Sequence, residues 1–162
     1  MLELYVIRHG FAGSPIEDKK LDDARPLKKK GREKIKDIAK SLKKQNICFD
    51  LVLTSPLLRA KETAEIFQDH CGITKKMQVI DLLKPGTSYP KLIKFLNEHK
   101  ESKVAIVGHE PFLSGFASYC VSGSKSSFID LKKGGIIKLE VDEVIKPGKC
   151  ILSLLMDPKH II

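Results

Sequence analysis

The stretch "DLVLTSPLLRAKETAEIFQDHCG", residues 50–72, sets the class of fold. Asp50 to Thr54 reads as a buried strand and runs without a linker into a helical pattern. Ser55 is expected as the N-cap, Pro56 as the first helical residue, and Gly72 as the stop just past the last turn. The same strand-then-helix unit recurs on both sides. Leu2 to Ile7 precedes "GREKIKDIAKSLKKQN" (31–46), where Ile35, Ile38, Ala39 and Leu42 make one apolar stripe opposite a lysine face. Gln78 to Leu82 precedes "YPKLIKFLNEH" (89–99), and Val104 to Val107 precedes "EPFLSGFASYCVSG" (110–123), each helix with a proline near its start. Strands alternating with helices imply an α/β fold with a largely parallel sheet. The last two strands, Ile136 to Val141 and Cys150 to Met156, are separated by "DEVIKPGK", too short for a crossover helix, so they pair antiparallel. The expectation is a mixed sheet with helices on both faces.

The chain has 162 residues, of which 42% are hydrophobic, enough for one core. There are no repeats and no linker, so one domain over 1–162 is expected. No apolar run approaches the ~18 residues of a membrane span, and Met1-Leu2-Glu3 has no basic stretch leading into a long apolar one. Cys48, Cys71, Cys120 and Cys150 form no Cys-x-x-Cys pair and read as free thiols, consistent with a cytoplasmic protein. The net charge of +9 rests on 25 lysines and only four arginines. The lysines are scattered, with few aromatics among them, so neither nucleic acid nor a membrane is expected as a partner. The charge favours anionic partners in general.

In open α/β sheets, ligands bind beyond the carboxyl ends of the parallel strands. Three strands bring polar residues to that edge. The first ends in Arg8-His9-Gly10, the second in Thr54-Ser55 with Arg59 in the following helical turn, and the fourth in Gly108-His109 with Glu110-Pro111 opening the next helix. Two arginines and two histidines from separate segments suit a phosphoryl group. Guanidinium forks match its oxygens, helix N-termini present backbone N–H groups, and a hydrogen bond to a charged group contributes roughly 1.5–3 kcal/mol. A neutral imidazole can attack phosphorus, and nearby arginines keep it neutral. The second histidine can be charged and can stabilise the equatorial oxygens of the transition state. No metal and no cofactor are expected, because the histidines have arginines for company rather than carboxylates or thiolates. His70-Cys71 lacks further ligands at suitable spacing.

"LYVIRHGFA", "ARPLKKKGREKIKDIAKSL", "DLVLTSPLLRAKETAEIF" and "VAIVGHEPFLSGF" match, in order and spacing, the histidine phosphatase superfamily, whose signature is Arg-His-Gly after the first strand. The resemblance is nearest to its small, SixA-type phosphohistidine phosphatases. It implies a phosphoglycerate mutase-like, three-layer α/β/α sandwich on a six-stranded, mostly parallel mixed sheet. It also implies that His9 is the nucleophile forming a phosphohistidine intermediate. Arg8, Arg59 and His109 then bind phosphate, with Gly10 and Ser55 lining the pocket and Arg25, in "RPL", as a further substrate contact. The implied substrate is a phosphohistidine-bearing protein of the phosphotransfer or phosphocarrier type, which places the chain in signal transduction. The alternatives are a phosphomonoesterase or mutase acting on a small phosphorylated metabolite, and a non-catalytic phosphate-binding module.

The sequence departs from the family at three places. Lys28 stands where Ser or Thr is common, Leu82 where an acidic residue is common, and there is no room for the inserted segment that carries a glutamate acid in larger members. Asp23, Asp81 and Glu110, or no residue at all, are the options for a general acid. A phosphohistidine expels an imidazole, which needs less acid catalysis than an alkoxide. A shallow, lidless pocket suits a protein-borne phosphoryl group.

Overall fold

The computed structural model describes residues 1–73 and 75–161. Its six strands are β1 (Leu2–Arg8), β2 (Leu51–Thr54), β3 (Gln78–Val79), β4 (Lys103–Gly108), β5 (Ile136–Val141) and β6 (Ile151–Met156). They form one sheet in the order β3-β2-β4-β1-β5-β6. β3, β2, β4 and β1 are mutually parallel, β5 runs antiparallel to β1, and β6 antiparallel to β5. The helices are α1 (Lys19–Asp23), α2 (Lys29–Lys44), α3 (Leu58–His70), α4 (Tyr89–Asn97) and α5 (Phe112–Ser122).

The two-residue period of the strands divides the core in two. Leu4 and Val6 of β1, Leu51 and Leu53 of β2 and Val104 and Ile106 of β4 pack with α4 and α5, through Leu92, Leu96, Leu113 and Phe116. The intervening residues, Tyr5 and Ile7, Val52, and Ala105 and Val107, pack with α2 and α3, through Ile35, Ile38, Leu42 and Phe67. Strands buried on both faces need near-continuous apolar sequence, which β1, β2 and β4 have. The result is the expected three-layer α/β/α sandwich. No helix among the described residues is long and apolar enough to cross a membrane.

Three local expectations are corrected. The third strand stops at Val79, and Asp81–Leu83 turns into a 3₁₀ helix that carries Leu83 fully into the core. Helix α3 begins at Leu58 with Leu57 at the N-cap, so Ser55 is not its cap. Ser55 Oγ instead accepts from the Leu57 N–H (3.2 Å) within the turn. Helix α1 has no counterpart among the expected elements, because none of its residues is buried and no apolar period betrays it. Asp18 caps it by accepting from the Leu21 N–H (3.0 Å).

Candidate functional site

The ends of β1, β4 and β2 are tied side by side. The His9 N–H donates to Gly108 O (3.0 Å) and the Ser55 N–H to Val107 O (3.0 Å). This brings His9, His109 and Ser55, each one residue past its strand, to one edge of the sheet. All three are buried, as are Arg25 and Arg59. The His9 and His109 ring centroids lie 5.3 Å apart. Helix α3 has no side-chain cap at its N-terminus and leaves first-turn N–H groups for another acceptor, whereas the Glu110 side chain takes up a first-turn N–H of α5.

A backbone hydrogen bond fixes the tautomer of His9. His9 Nδ1 lies 2.7 Å from Gly10 O, which can only accept, so Nδ1 carries the proton and Nε2 the lone pair. His109 Nε2 lies 2.7 Å from Ser55 Oγ. Ser55 Oγ accepts from Leu57 and has its own proton to donate to Nε2, the arrangement in which the His109 proton sits on Nδ1. Burial, then the charges of Arg59, Arg8 and Arg25, push the His9 pKa down to about 4. Burial, then His9 and Arg59, push His109 down to about 3. Both rings are therefore neutral at pH 7, and His109 is not the charged group the sequence reading allowed, because burial disfavours its imidazolium. Desolvation comes first among the causes, ahead of the arginines that sequence reasoning invoked.

Three of the chain's four arginines gather here, although lysine outnumbers arginine about sixfold. Arg8 Nη1 donates to Leu131 O (3.0 Å). Arg59 Nη1 donates to Asp22 O (2.8 Å), and its Nη2 lies 3.4 Å from Asp22 Oδ2. Among the described residues, three buried side-chain nitrogens have no hydrogen-bond partner: Arg8 Nε, Arg59 Nε and His109 Nδ1. Orphaned buried polar nitrogens are costly, and three of them, two on guanidiniums, mark a place built for a polar, anionic group. Arg25 is spent differently. Its Nε pairs with Asp22 Oδ1 (2.9 Å), and its Nη1 donates to Ala12 O (2.8 Å) and Gly13 O (3.2 Å), so it braces the loop after β1.

A family model of the histidine phosphatase superfamily (branch 1) matches residues 4–84, half of the chain. The chain belongs to this superfamily. It is 30% identical over 116 residues to the phosphohistidine phosphatase SixA of Escherichia coli strain K12, covering 69% of this chain and 70% of that protein. It is 36% identical over 141 residues to an uncharacterised protein of Picosynechococcus, covering 85% and 84%. Among solved structures, the protein histidine phosphatase SixA complexed with tungstate superposes with a TM-score of 0.86 at 22% identity, over 99% of this chain and 100% of that one. A phosphoserine phosphatase of Entamoeba histolytica, in complex with 3-phosphoglyceric acid, gives 0.71 at 17%, over the whole of both chains. The phosphoglycerate mutase-like fold inferred from the motifs is thus the observed one.

Within this histidine phosphatase fold, two further residues support the site. The Gly10 N–H donates to Thr63 Oγ1 (3.1 Å), and the Thr63 hydroxyl donates to Arg59 O (2.7 Å). Thr63 follows Arg59 by one helical turn, a spacing that could have flagged it. Asp22 is the second, and its carboxylate joins Arg25, Arg59 and the Ile16 N–H (2.9 Å). Asp22 carries no motif that would separate it from Asp23. Of the acid candidates, Asp81 is exposed and pairs with Lys84 at 3.4 Å. Glu110, just before α5, accepts the Ser114 N–H of its first turn through Oε1 (2.7 Å). Asp23 has the weakest tie, its charge acting on Arg59.

Proposed function

We propose that the protein hydrolyses protein-borne phosphohistidine through a phosphohistidine intermediate on His9. The observation that carries this reading is the pairing of the His9 Nε2 lone pair with the three orphaned donors of Arg8, Arg59 and His109. Arg8 and Arg59 bind the phosphoryl oxygens, and His109 donates its Nδ1–H to one of them. His9 Nε2 attacks phosphorus, the bond from phosphorus to the substrate imidazole breaks, and the leaving imidazole takes up a proton. Water then attacks phosphorus, releasing inorganic phosphate and restoring neutral His9. As charge moves onto the bound oxygens, the fixed donors stabilise it without reorganising. Gly10 lets the loop approach, and the 1–162 chain acts as one histidine phosphatase domain.

The carboxylates support this choice of substrate. The Ile16 N–H, Arg25 and Arg59 hold the Asp22 carboxyl below its ordinary range, which makes it a poor proton donor. Glu110 Oε1 is engaged as an acceptor for the first turn of α5. With Asp22, the carboxylate tied to Arg59, a poor acid, the site favours a leaving group that needs little acid help, and imidazole meets that condition better than an alkoxide.

A phosphohistidine peptide and a phosphoserine peptide of the same sequence test this directly. The expected result is kcat/KM at least about 10²-fold higher for phosphohistidine, the low end of what acid catalysis contributes. Faster turnover of phosphoserine would overturn the substrate reading and favour a phosphomonoesterase.

A further inference from the structure

A groove of about 850 Å³ opens beside the phosphate pocket and shares Arg8 and Gly10 with it. Its floor is buried and uncharged, made by Gly10, Gly31 and Ile35. A methyl on Gly31 would stand 2.1 Å from Phe11 O, and one on Gly10 2.7 Å from Ile35 Cγ1. The loop after His9 is therefore pressed directly on α2, and the groove begins where the nucleophile's loop ends. The rims are exposed lysines: Lys30 and Lys34 from α2, and Lys132 and Lys133 from the segment before β5. Phe11 is 43% exposed at the mouth, with Lys133 Nζ 5.1 Å from its ring centroid.

We propose that this groove docks the polypeptide segment flanking the phosphorylated residue, and that it selects an acidic segment bearing an apolar side chain. The proposal rests on the reading of a protein-borne phosphoryl group given above. Arg8 lines the groove and adjoins His9, so a segment lying in the groove sits next to a group bound at His9. Five cations face two carboxylates, Glu33 and Asp37, which leaves the groove positive. The division of labour between the cations is informative. The pocket uses arginine, whose rigid fork fixes phosphate oxygens, whereas the groove uses lysine, a mobile and hydrated charge suited to a variable run of carboxylates. Lys132 is paired with Asp130 (2.7 Å), but that pair is exposed on both sides and exchanges for a partner's carboxylate at little cost. The apolar floor and Phe11 supply the burial that charge alone lacks. Glu33 and Asp37 repel a phosphodiester backbone, and the groove has a single aromatic ring on which a base could stack.

Two twelve-residue phosphohistidine peptides provide the test, one flanked by Asp, Glu and Leu, the other with every Asp and Glu replaced by Asn and Gln. The wild-type protein is expected to turn over the acidic peptide with at least tenfold higher kcat/KM, a preference that shrinks as salt rises. In the variant Lys30→Glu, Lys34→Glu, Lys133→Glu the ratio of the two peptides is expected to fall to one or below. Lys133→Gln alone reads the same ratio in a milder background. Equal turnover of both peptides by the wild type overturns the groove proposal and leaves the phosphohistidine reading intact. Cleavage of neither peptide, with brisk cleavage of a small phosphate ester, overturns both. Competition by a single-stranded oligonucleotide of equal charge, as strong as that by the acidic peptide, makes the groove a general polyanion site and also sinks the proposal.

Discussion

The two halves of the sheet are built from similar residues and do different work. β1, β2 and β4 are buried on both faces and end in His9, Ser55 and His109. β6 alternates between exposed and half-buried positions, leaves Ile151 and Leu155 in solvent, and carries none of the residues proposed for chemistry. β5 lies between them. The Gly134 N–H, just before it, donates to the carbonyls of Arg8 and His9 (3.1 Å each), so the antiparallel half holds the site from outside. The difference lies in direction. Parallel strands deliver their carboxyl ends, and the N-termini of the helices that follow, to one edge, where anions are welcome. A strand of opposite sense brings its start there instead.

If that division is real, a change at the parallel ends costs activity well before it costs folding. Arg59→Lys keeps the charge and loses the fork, and kcat/KM is expected to fall by roughly 10²–10³-fold with the circular dichroism spectrum unchanged. A loss under threefold would mean that Arg59 serves structure alone.

The two depressed histidines give the same half a pH signature. Each is neutral in the fold and titrates near its ordinary value of 6.5 when unfolded. Below that pH the unfolded chain takes up protons that the folded chain refuses. Stability is therefore complete above pH 6.5 and is lost as pH falls toward about 4. Between pH 6.5 and 5 the loss is of the order of 2 kcal/mol per histidine. Urea unfolding should show it, and His9→Gln should remove one histidine's share. A curve that is the same in both proteins would contradict the buried neutral ring.

Asp22 touches the arginines without being placed on the phosphate. Asp22→Asn is expected to lower kcat/KM roughly tenfold, the scale of one coupled pair in a network, chiefly through KM as Arg59 loses its alignment. An unchanged KM would remove Asp22 from the positioning of Arg59. At the far edge, Ile151→Thr on β6 should leave turnover within twofold and stability within about 0.5 kcal/mol. A large loss of activity there would erase the distinction between the halves.

The sequence made the parallel half legible for a physical reason. Strands buried on both faces are continuous apolar runs, and their ends are marked by abrupt polarity, as at Ile7 to Arg8 or Gly108 to His109. Three places were opaque. Helix α1 buries nothing, so it leaves no period. The end of β3 is decided by Leu83 turning inward, a tertiary effect. Ser55 has the form of a cap but is claimed by His109, a residue 54 positions away. Arg25 shows the same limit at the site. Its motif marks it as important, and only the fold reveals that its Nε and Nη1 are engaged by Asp22, Ala12 and Gly13. The thiols Cys120 and Cys150 are likewise distant in sequence but adjacent in space, joined by the Cys150 N–H donating to Cys120 O (3.1 Å), and both are free.

The central claim is that His9 carries the phosphoryl group between substrate and water. Rapid acid-free quenching of the protein with a ³²P-phosphohistidine peptide, followed by proteolysis and mass spectrometry, reads this directly. The account predicts a transient label on the peptide containing His9, stable to base and labile to acid, and absent from His9→Ala, which keeps its fold. A label on another residue, or full turnover by His9→Ala with no label at all, would contradict it.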